Sequence, residues 1–424
     1  MDGNQKMTIN LIDLFSGAGG LTEGFSEHDN FRVLGHVEKD FSASQTLKLR
    51  ESFHYLAKNE KLSIYCDYLN NKITLASLFD KIPDMILKKV INEEISDDTI
   101  TNIFDNLDDI IGESIVNGII GGPPCQAYST IGRARNVSKK DFDNRIYLYE
   151  FYIDFLKKFD PDFFVFENVK GLLSFRDSND ELLLPKIESD FEKAGYKIQY
   201  EIVNTKFFDV PQSRERLIIF GAKNRFKNMP KNFFDVLNSK KNNKIPTVHE
   251  ALIGLPALKE GETNNLYTAE ISNYTNKYYR RIENVPLTQN TARPHNERDL
   301  EIYKQVSIAK LNGKNLKYNE LSSKLRTHKH DDKFLDRFKT LSWDSPSHTI
   351  VAHIAKDGHH YIHPDIDQNR SITVREAARL QGFPDDFYFE KSRTSAFTQI
   401  GNAVPPILSH IFAEVIDEIY KKTN

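Results

Sequence analysis

Thr8-Ile9-Asn10-Leu11-Ile12-Asp13-Leu14-Phe15 runs straight into Ser16-Gly17-Ala18-Gly19-Gly20-Leu21, and the reading of this junction decides the fold. An apolar run of this length, stopped by clustered glycines, reads as a buried parallel strand entering a tight turn. A helix is expected from about Leu21, and Phe31 to Val37 reads as a second strand ending at Glu38. Strand, glycine turn, helix and strand make a βαβ opening, the start of a nucleotide-type sheet. The predicted class is α/β: a Rossmann-like sheet with helices on both faces, plus a smaller irregular domain.

The later chain continues the pattern and then breaks it. Residues 116–121, Phe163 to Phe166, Lys197 to Lys206 and Arg216 to Ala222 read as further strands, with an amphipathic helix from Tyr147 to Phe159. Residues 68–115, rich in Asn, Asp, Lys and Ile, read as helical insertion material. After Ala222 long apolar runs become rare, and 224–370 is rich in Asn, Lys and Tyr. A clean helix resumes over 371–382, with Thr373 as N-cap, Glu376 three residues on, and Gly382-Phe383-Pro384 as its stop. Ala403 to Lys421 reads as the last helix. The expected organisation is a catalytic and cofactor-binding domain over 1–223, a separate domain over 224–370, and a segment over 371–424 that returns to the first.

At 424 residues the chain is too long for one ordinary core. With 28% charged residues and a mean hydropathy of −0.52, it reads as a soluble globular protein. No run of about twenty apolar residues offers a membrane span, and the N-terminus lacks the pattern of a signal peptide. Two cysteines, Cys66 and Cys125, cannot build a zinc site alone, and a reducing cytoplasm fits them. His353, His359, His360 and His363 read as a loop rather than as metal ligands. A net charge of −3 says little; the local balance says more. Lys324, Arg326, Lys329, Lys333, Arg337 and Lys339 outnumber Glu320, Asp331, Asp332 and Asp336 over 320–340, which suits either a solvated face or phosphate contact.

The chemistry is concentrated in Gly121-Gly122-Pro123-Pro124-Cys125-Gln126-Ala127-Tyr128-Ser129. Two prolines end the preceding strand and hold the backbone extended ahead of a thiol. A cysteine at the carboxyl end of a strand in an α/β sheet stands where such sheets bind ligands, so Cys125 is a candidate nucleophile. Gly17, Gly19 and Gly20 let backbone approach a ligand at a helix N-terminus, although the spacing is not the dinucleotide fingerprint. Glu38, at the end of the second strand, suits bidentate contact with ribose hydroxyls. Glu167 ends an apolar strand, where burial would favour a proton-donating carboxyl. A strand-end carboxylate paired with a lysine is the plainer alternative. Arg214 and Arg216 offer permanent charge and a planar donor fork.

These stretches recur in one order: Asp13 to Leu21, Gly121 to Ser129, Glu167-Asn168-Val169, Gln212-Ser213-Arg214-Glu215-Arg216, Arg375 to Pro384, and Gln399-Ile400-Gly401-Asn402-Ala403-Val404. As an ordered set from residue 9 to about 410, the chain resembles the cytosine-5 DNA methyltransferases of bacterial restriction–modification systems. The resemblance implies transfer of a methyl group from S-adenosylmethionine to carbon 5 of a cytosine flipped out of duplex DNA. Cys125 would add to carbon 6, Glu167 would act at N3 and Arg216 at O2, with Arg214 in support.

For the cofactor, the resemblance implies contacts from Phe15, stacked on adenine, from the backbone of Ser16, Gly17, Gly19 and Gly20, and from Glu38, Asp67, Pro124 and Asn402. Asp67 stands in Tyr65-Cys66-Asp67-Tyr68, and Lys39 replaces the aromatic often found after the ribose-binding glutamate. Gln126, Ser129, Arg133, Arg135, Arg281, Lys324 and Arg326 would meet DNA, as would Lys277, Arg280, Arg293 and Arg298. Tyr128 replaces the more usual phenylalanine, a change expected to matter little. The implied partners are double-stranded DNA and a cognate endonuclease acting on the same site without stable association, for a monomer in a bacterial cytoplasm. An RNA methyltransferase on the same scaffold and a catalytically dead DNA-binding protein are the competing readings. The length of 224–370 favours duplex readout, and the presence of Cys125, Glu167 and Arg216 favours an enzyme.

Overall fold

The computed structural model describes residues 8–124, 128, 144–327 and 335–423. Its first half follows the expected alternation: β1 (Ile9–Leu14), α1 (Gly20–Ser26), β2 (Phe31–Val37), α2 (Phe41–Lys58), α3 (Leu62–Leu69), α4 (Leu75–Phe79), α5 (Asp84–Leu87), β3 (Val90–Ile91), α6 (Ile100–Ile111) and β4 (Gly118–Gly121). Then come α7 (Leu148–Phe159), β5 (Phe163–Val169), α8 (Leu183–Lys193), β6 (Tyr196–Asn204), β7 (Gln212–Ser213), β8 (Glu215–Lys223) and α9 (Met229–Ser239). The remainder carries α10 (Val248–Leu252), α11 (Asn273–Tyr278), α12 (Glu297–Leu311), β9 (Ser347–His348), α13 (Val374–Leu380), α14 (Arg393–Asn402) and α15 (Pro406–Thr423). No described helix is long and apolar enough to cross a membrane.

Seven strands form the central sheet in the order β3-β2-β1-β4-β5-β8-β6, with β8 antiparallel to both of its neighbours. Chain order reverses between β1 and β4, the point where open α/β sheets bind ligands beyond the strand ends. Both faces are covered, which is why the strands read as continuous apolar runs. Ile12 and Leu14, Phe164 and Phe166, and Leu217 and Ile219 enter the core that α6, α7 and α8 cover. Ile9 and Leu11, Phe163 and Val165, and Ile218 and Phe220 enter the opposite core with α1, α9 and α15.

Two features lie inside stretches that read otherwise in sequence. Within 68–115, β3 pairs with β2, and α6 buries Ile103, Leu107 and Ile111 against the sheet. Just past residue 224, α9 packs Met229, Phe233 and Phe234 onto the sheet core. A third core joins Val248, Leu341, Ile350 and Tyr361 to α13 and α14, so the irregular region shares its interior with the C-terminal segment. A small cluster of Ile302, Tyr303, Tyr318, Leu321 and Phe338 builds its outer part. The start of α13 is capped as its sequence requires: Glu376 N–H donates to Thr373 Oγ1 at 3.1 Å, and Thr373 N–H donates to Glu376 Oε2 at 2.7 Å.

Candidate active site

The ends of β1, β2, β3, β4 and β5 share one edge of the sheet, and the glycine turn after β1 occupies its centre. Phe15, Gly17 and Gly19 all take positive φ (54°, 55° and 85°), the conformation that folds the chain back into α1. A Cβ on Gly17 would meet nothing within 4 Å, so the turn faces open space. Ser16 N–H bonds Val37 O at 3.2 Å, and its hydroxyl donates to Asp13 O at 2.8 Å. Glu38 grips the turn from β2: one carboxylate oxygen accepts Gly17 N–H at 2.7 Å and the other Asp40 N–H at 2.7 Å. Burial pushes this carboxyl above the ordinary glutamate range, while the two amides pull it back. From the far end of the chain, residues 402–404 close against the same turn. A Cβ on Gly20 would lie 2.1 Å from Val404 O and 3.2 Å from Ala403 Cβ. Asn402 is exposed beside them at the end of α14.

Pro124 is the last described residue before Cys125; Cys125, Gln126, Ser129, Arg133 and Arg135 lie outside the described residues. The approach to Cys125 is nevertheless fixed. A Cβ on Gly122 would fall 2.4 Å from Glu167 O and 3.0 Å from Glu167 Oε2, so only glycine lets this backbone pass the glutamate. Glu167, near the end of β5, is paired not with a lysine but with Arg216: Arg216 Nε stands 2.8 Å from Glu167 Oε1, both side chains being mostly buried. The pairing follows from register, because Val169 faces Arg216 and Glu167 faces Ile218, which puts Glu167 and Arg216 on one diagonal of the sheet face. A cavity of about 400 Å³ opens beside Arg216, lined in part by Val169, Lys170, Ser213 and Thr349.

Arg214 does not join that pair. It is buried and donates to Ile350 O at 2.7 Å and Gly401 O at 3.2 Å. Tyr128 is buried too, and its hydroxyl donates to Ile146 O at 2.5 Å.

The basic residues expected to meet DNA divide into two groups. Lys324 is exposed and Arg326 half-buried at the rim of the outer cluster. Arg281 instead turns inward to three carboxylates, Glu23 at 2.8 Å, Asp386 at 3.0 Å and Glu27. Its charge is paired within the fold, with Glu23 and Asp386 both buried, which sets it apart from Lys324. Arg293 is likewise buried, donating to Ile354 O at 3.0 Å. Tyr274 and Tyr278 bond to Asp209, and Tyr279 to Arg379 O, as packing residues do.

Asp67 sits on α3, pairs with Lys72 at 3.0 Å and is half exposed. The residue that the fold brings to Glu38 is Asn92, directly after β3, whose amide donates to Glu38 O at 2.9 Å and Lys39 O at 3.1 Å. Sequence reading missed it because β3 is two residues long, too short to show a period. Among the described residues no group of three or more His, Cys, Asp or Glu side chains could hold a metal ion.

The C-5 cytosine-specific DNA methylase family profile matches residues 72–418. Over 446 aligned residues the chain is 38% identical to the type II methyltransferase M.Bpa9945I of Bacillus paralicheniformis, covering 96% of this chain and 98% of that relative. It is 29% identical to the type II methyltransferase M.DdeI of Desulfomicrobium norvegicum, over 98% of this chain and 90% of the relative. A solved DNA modification methyltransferase encoded within an E. coli prophage superposes with a TM-score of 0.62 at 23% identity, covering 98% of this chain and all of that one, a likeness of fold.

Proposed function

The chain belongs to the C-5 cytosine-specific DNA methylases, and from that premise we propose that it works through Cys125, Glu167 and Arg216 on a cytosine flipped out of a short, specific duplex sequence. It is a DNA cytosine-5 methyltransferase of the type II restriction–modification kind. The observation that carries the site assignment is the Glu167–Arg216 pair at 2.8 Å, with Gly122, three residues before Cys125, packed against Glu167.

Carbon 5 of cytosine is a weak nucleophile. Addition of the Cys125 thiolate to carbon 6 breaks the ring's aromaticity and makes carbon 5 enamine-like. Negative charge then gathers on N3 and O2. Glu167 would act at N3, and Arg216 would hold O2 through its guanidinium, in a site where fixed charge acts more strongly than in water. Once carbon 5 carries the methyl group, loss of its proton re-forms the 5,6 double bond as the thiolate leaves carbon 6.

The residues at the sheet edge fit S-adenosylmethionine: open space at Gly17, a carboxylate at Glu38 that also braces the turn, and an exposed amide at Asn402. When bound, that cofactor supplies an electrophilic methyl group. Phe15, Ser16 to Gly20, Glu38, Asp67, Pro124 and Asn402 would hold it, with Asn92 beside Glu38. Lys324 and Arg326, with Gln126, Ser129, Arg133 and Arg135, would meet DNA, and 224–370 would supply most of the sequence readout. The enzyme would act as a monomer on chromosomal DNA in a bacterial cytoplasm, beside an endonuclease that reads the same site.

A duplex carrying 5-fluorocytosine at the target position tests the mechanism. Fluorine cannot leave carbon 5 as a cation, so the thiol stays bound and a covalent protein–DNA complex forms at Cys125. Cys125→Ala forms none. Methylation of ordinary cytosine without any trapped complex would overturn the covalent route.

A further inference from the structure

Three buried side chains that take no part in the proposed chemistry form one connected unit between the irregular region and the cofactor edge. Gln212 and Gln381 are fully buried, and Arg214 nearly so. Gln212 Oε1 accepts Ile350 N–H at 2.9 Å, and its amide donates to Gln381 Oε1 at 2.6 Å and Leu380 O at 3.2 Å. Gln381 passes the chain on, donating to Ala403 O at 2.6 Å. Arg214 spans the same two ends, with Ile350 O on one side and Gly401 O on the other. Both polar groups of the Ile350 peptide are therefore held from one short stretch. Two residues beyond Arg214 stands Arg216 of the Glu167 pair.

The ends of this unit are places where the site is assembled. Ile350 follows β9, which pairs in parallel with β7, Gln212 facing Ser347. Thr349 Oγ1 adds a bond to Ser213 O at 2.9 Å. At the other end, Gly401 to Ala403 carry Asn402, and a Cβ on Gly20 would stand 3.2 Å from Ala403 Cβ. A Cβ on Gly401 would lie 2.2 Å from Ala352 N, so the two ends also touch directly. The Gln212 amide uses its oxygen and both N–H groups, and a buried amide so held tolerates little displacement, since moving one partner strands the other.

We infer that Gln212, Arg214 and Gln381 are positioning residues that couple the cofactor edge at 401–403 to the segment around Ile350, and with it the irregular region to Arg216. This rests on the proposed cofactor site. Occupation of that site tightens 347–354, and loss of either glutamine uncouples the two ends. The class of effect is an energetic coupling through a packed hydrogen-bonded network, with a factor of about ten within the usual range.

Hydrogen exchange read by mass spectrometry tests it without DNA or turnover. The full-length wild-type protein is compared with and without saturating S-adenosylhomocysteine, the demethylated form of the cofactor, with binding itself measured by calorimetry. The expected result is exchange about tenfold slower over 347–354 when the ligand is bound. Gln212→Met and Gln381→Met each abolish that slowing, and the double variant behaves like either single one, as members of one unit do. With DNA present, each single variant lowers kcat about tenfold while KM for the cofactor changes less than threefold. The wild-type measurement needs no variant to fold. Unchanged exchange over 347–354 on ligand binding overturns the inference, as does slowing that survives in the variants. Ligand binding without methylation of any cytosine would count against the proposed function and leave the exchange result to stand by itself. Failure of the wild type to bind this ligand would remove the cofactor site and the inference together.

Discussion

Arg216 Nε lies 2.8 Å from Glu167 Oε1, across the antiparallel pair of β5 and β8, the strand that runs against the other six. The antiparallel turn of β8 makes this possible. A parallel strand would bring its carboxyl end, not its first residues, to the edge where β5 ends. Arg216 is the second residue of β8 and so arrives beside Glu167. If this guanidinium stabilises charge on the ring, Arg216→Ala lowers kcat by about 100- to 1000-fold. Arg216→Lys recovers little, because the planar fork is lost. Affinity for S-adenosylhomocysteine, measured by calorimetry, stays within threefold of wild type.

Glu38 holds Gly17 and Asp40 by two backbone N–H bonds of 2.7 Å each. Hydrogen bonds to a charged group contribute about 1.5–3 kcal/mol each, and removing this carboxylate leaves the glycine turn unbraced. Glu38→Ala is expected to weaken S-adenosylhomocysteine binding at least tenfold in calorimetry. Glu38→Gln, which keeps one acceptor, falls between Ala and wild type.

Arg281 offers a test of its inward placement. Removing it leaves Glu23 and Asp386 buried with one partner fewer, although Arg50 still bridges them. Breaking such a buried pair costs about 3–5 kcal/mol. Arg281→Ala should lower the thermal midpoint sharply while leaving the slope of DNA affinity against salt unchanged. Lys324→Ala should do the reverse, reducing that slope by about one with little change in stability.

His363 is buried beside Arg370 and Glu376, and burial lowers its pKa from 6.5 to about 4. The unfolded chain binds a proton as pH falls through about 6.5, while the folded protein does so only near 4. Stability is therefore complete above the unfolded value and is lost as pH falls, by about 2 kcal/mol at pH 5. His348, lowered to about 3, adds to the trend. His36, held between Asp13 and Glu51, is raised instead, so its contribution is present in acid and lost toward high pH. A series of melting curves from pH 7 to pH 5 should show a falling midpoint, with a shallower fall in His363→Gln.

Much of this was readable from local pattern. The β1 junction, the Glu38 strand end, the capped α13 and the order of the motifs each follow from residues close together in sequence. What stayed hidden depends on partners far apart. Arg281 looks like any basic residue beside tyrosines, and its carboxylate Glu23 lies 258 positions away. Asn92 reaches Glu38 only because a two-residue strand carries it there, and so short a strand leaves no period in the sequence. Arg214 and Arg216 are indistinguishable in the sequence. The structure separates them, because Arg214 lies in the break between β7 and β8, off the strand that carries Arg216, and there meets the carbonyls of Ile350 and Gly401.

The central claim is cytosine-5 methylation of duplex DNA through Cys125. Its most direct test is bisulfite sequencing of unmethylated genomic DNA incubated with S-adenosylmethionine and either the wild-type protein or Cys125→Ala. The account predicts protected cytosines confined to one short duplex motif with wild type and none with the variant. Protection that persists in Cys125→Ala would contradict the role of the thiol. No protection at all, from a folded protein that binds the cofactor, would contradict DNA cytosine as the substrate.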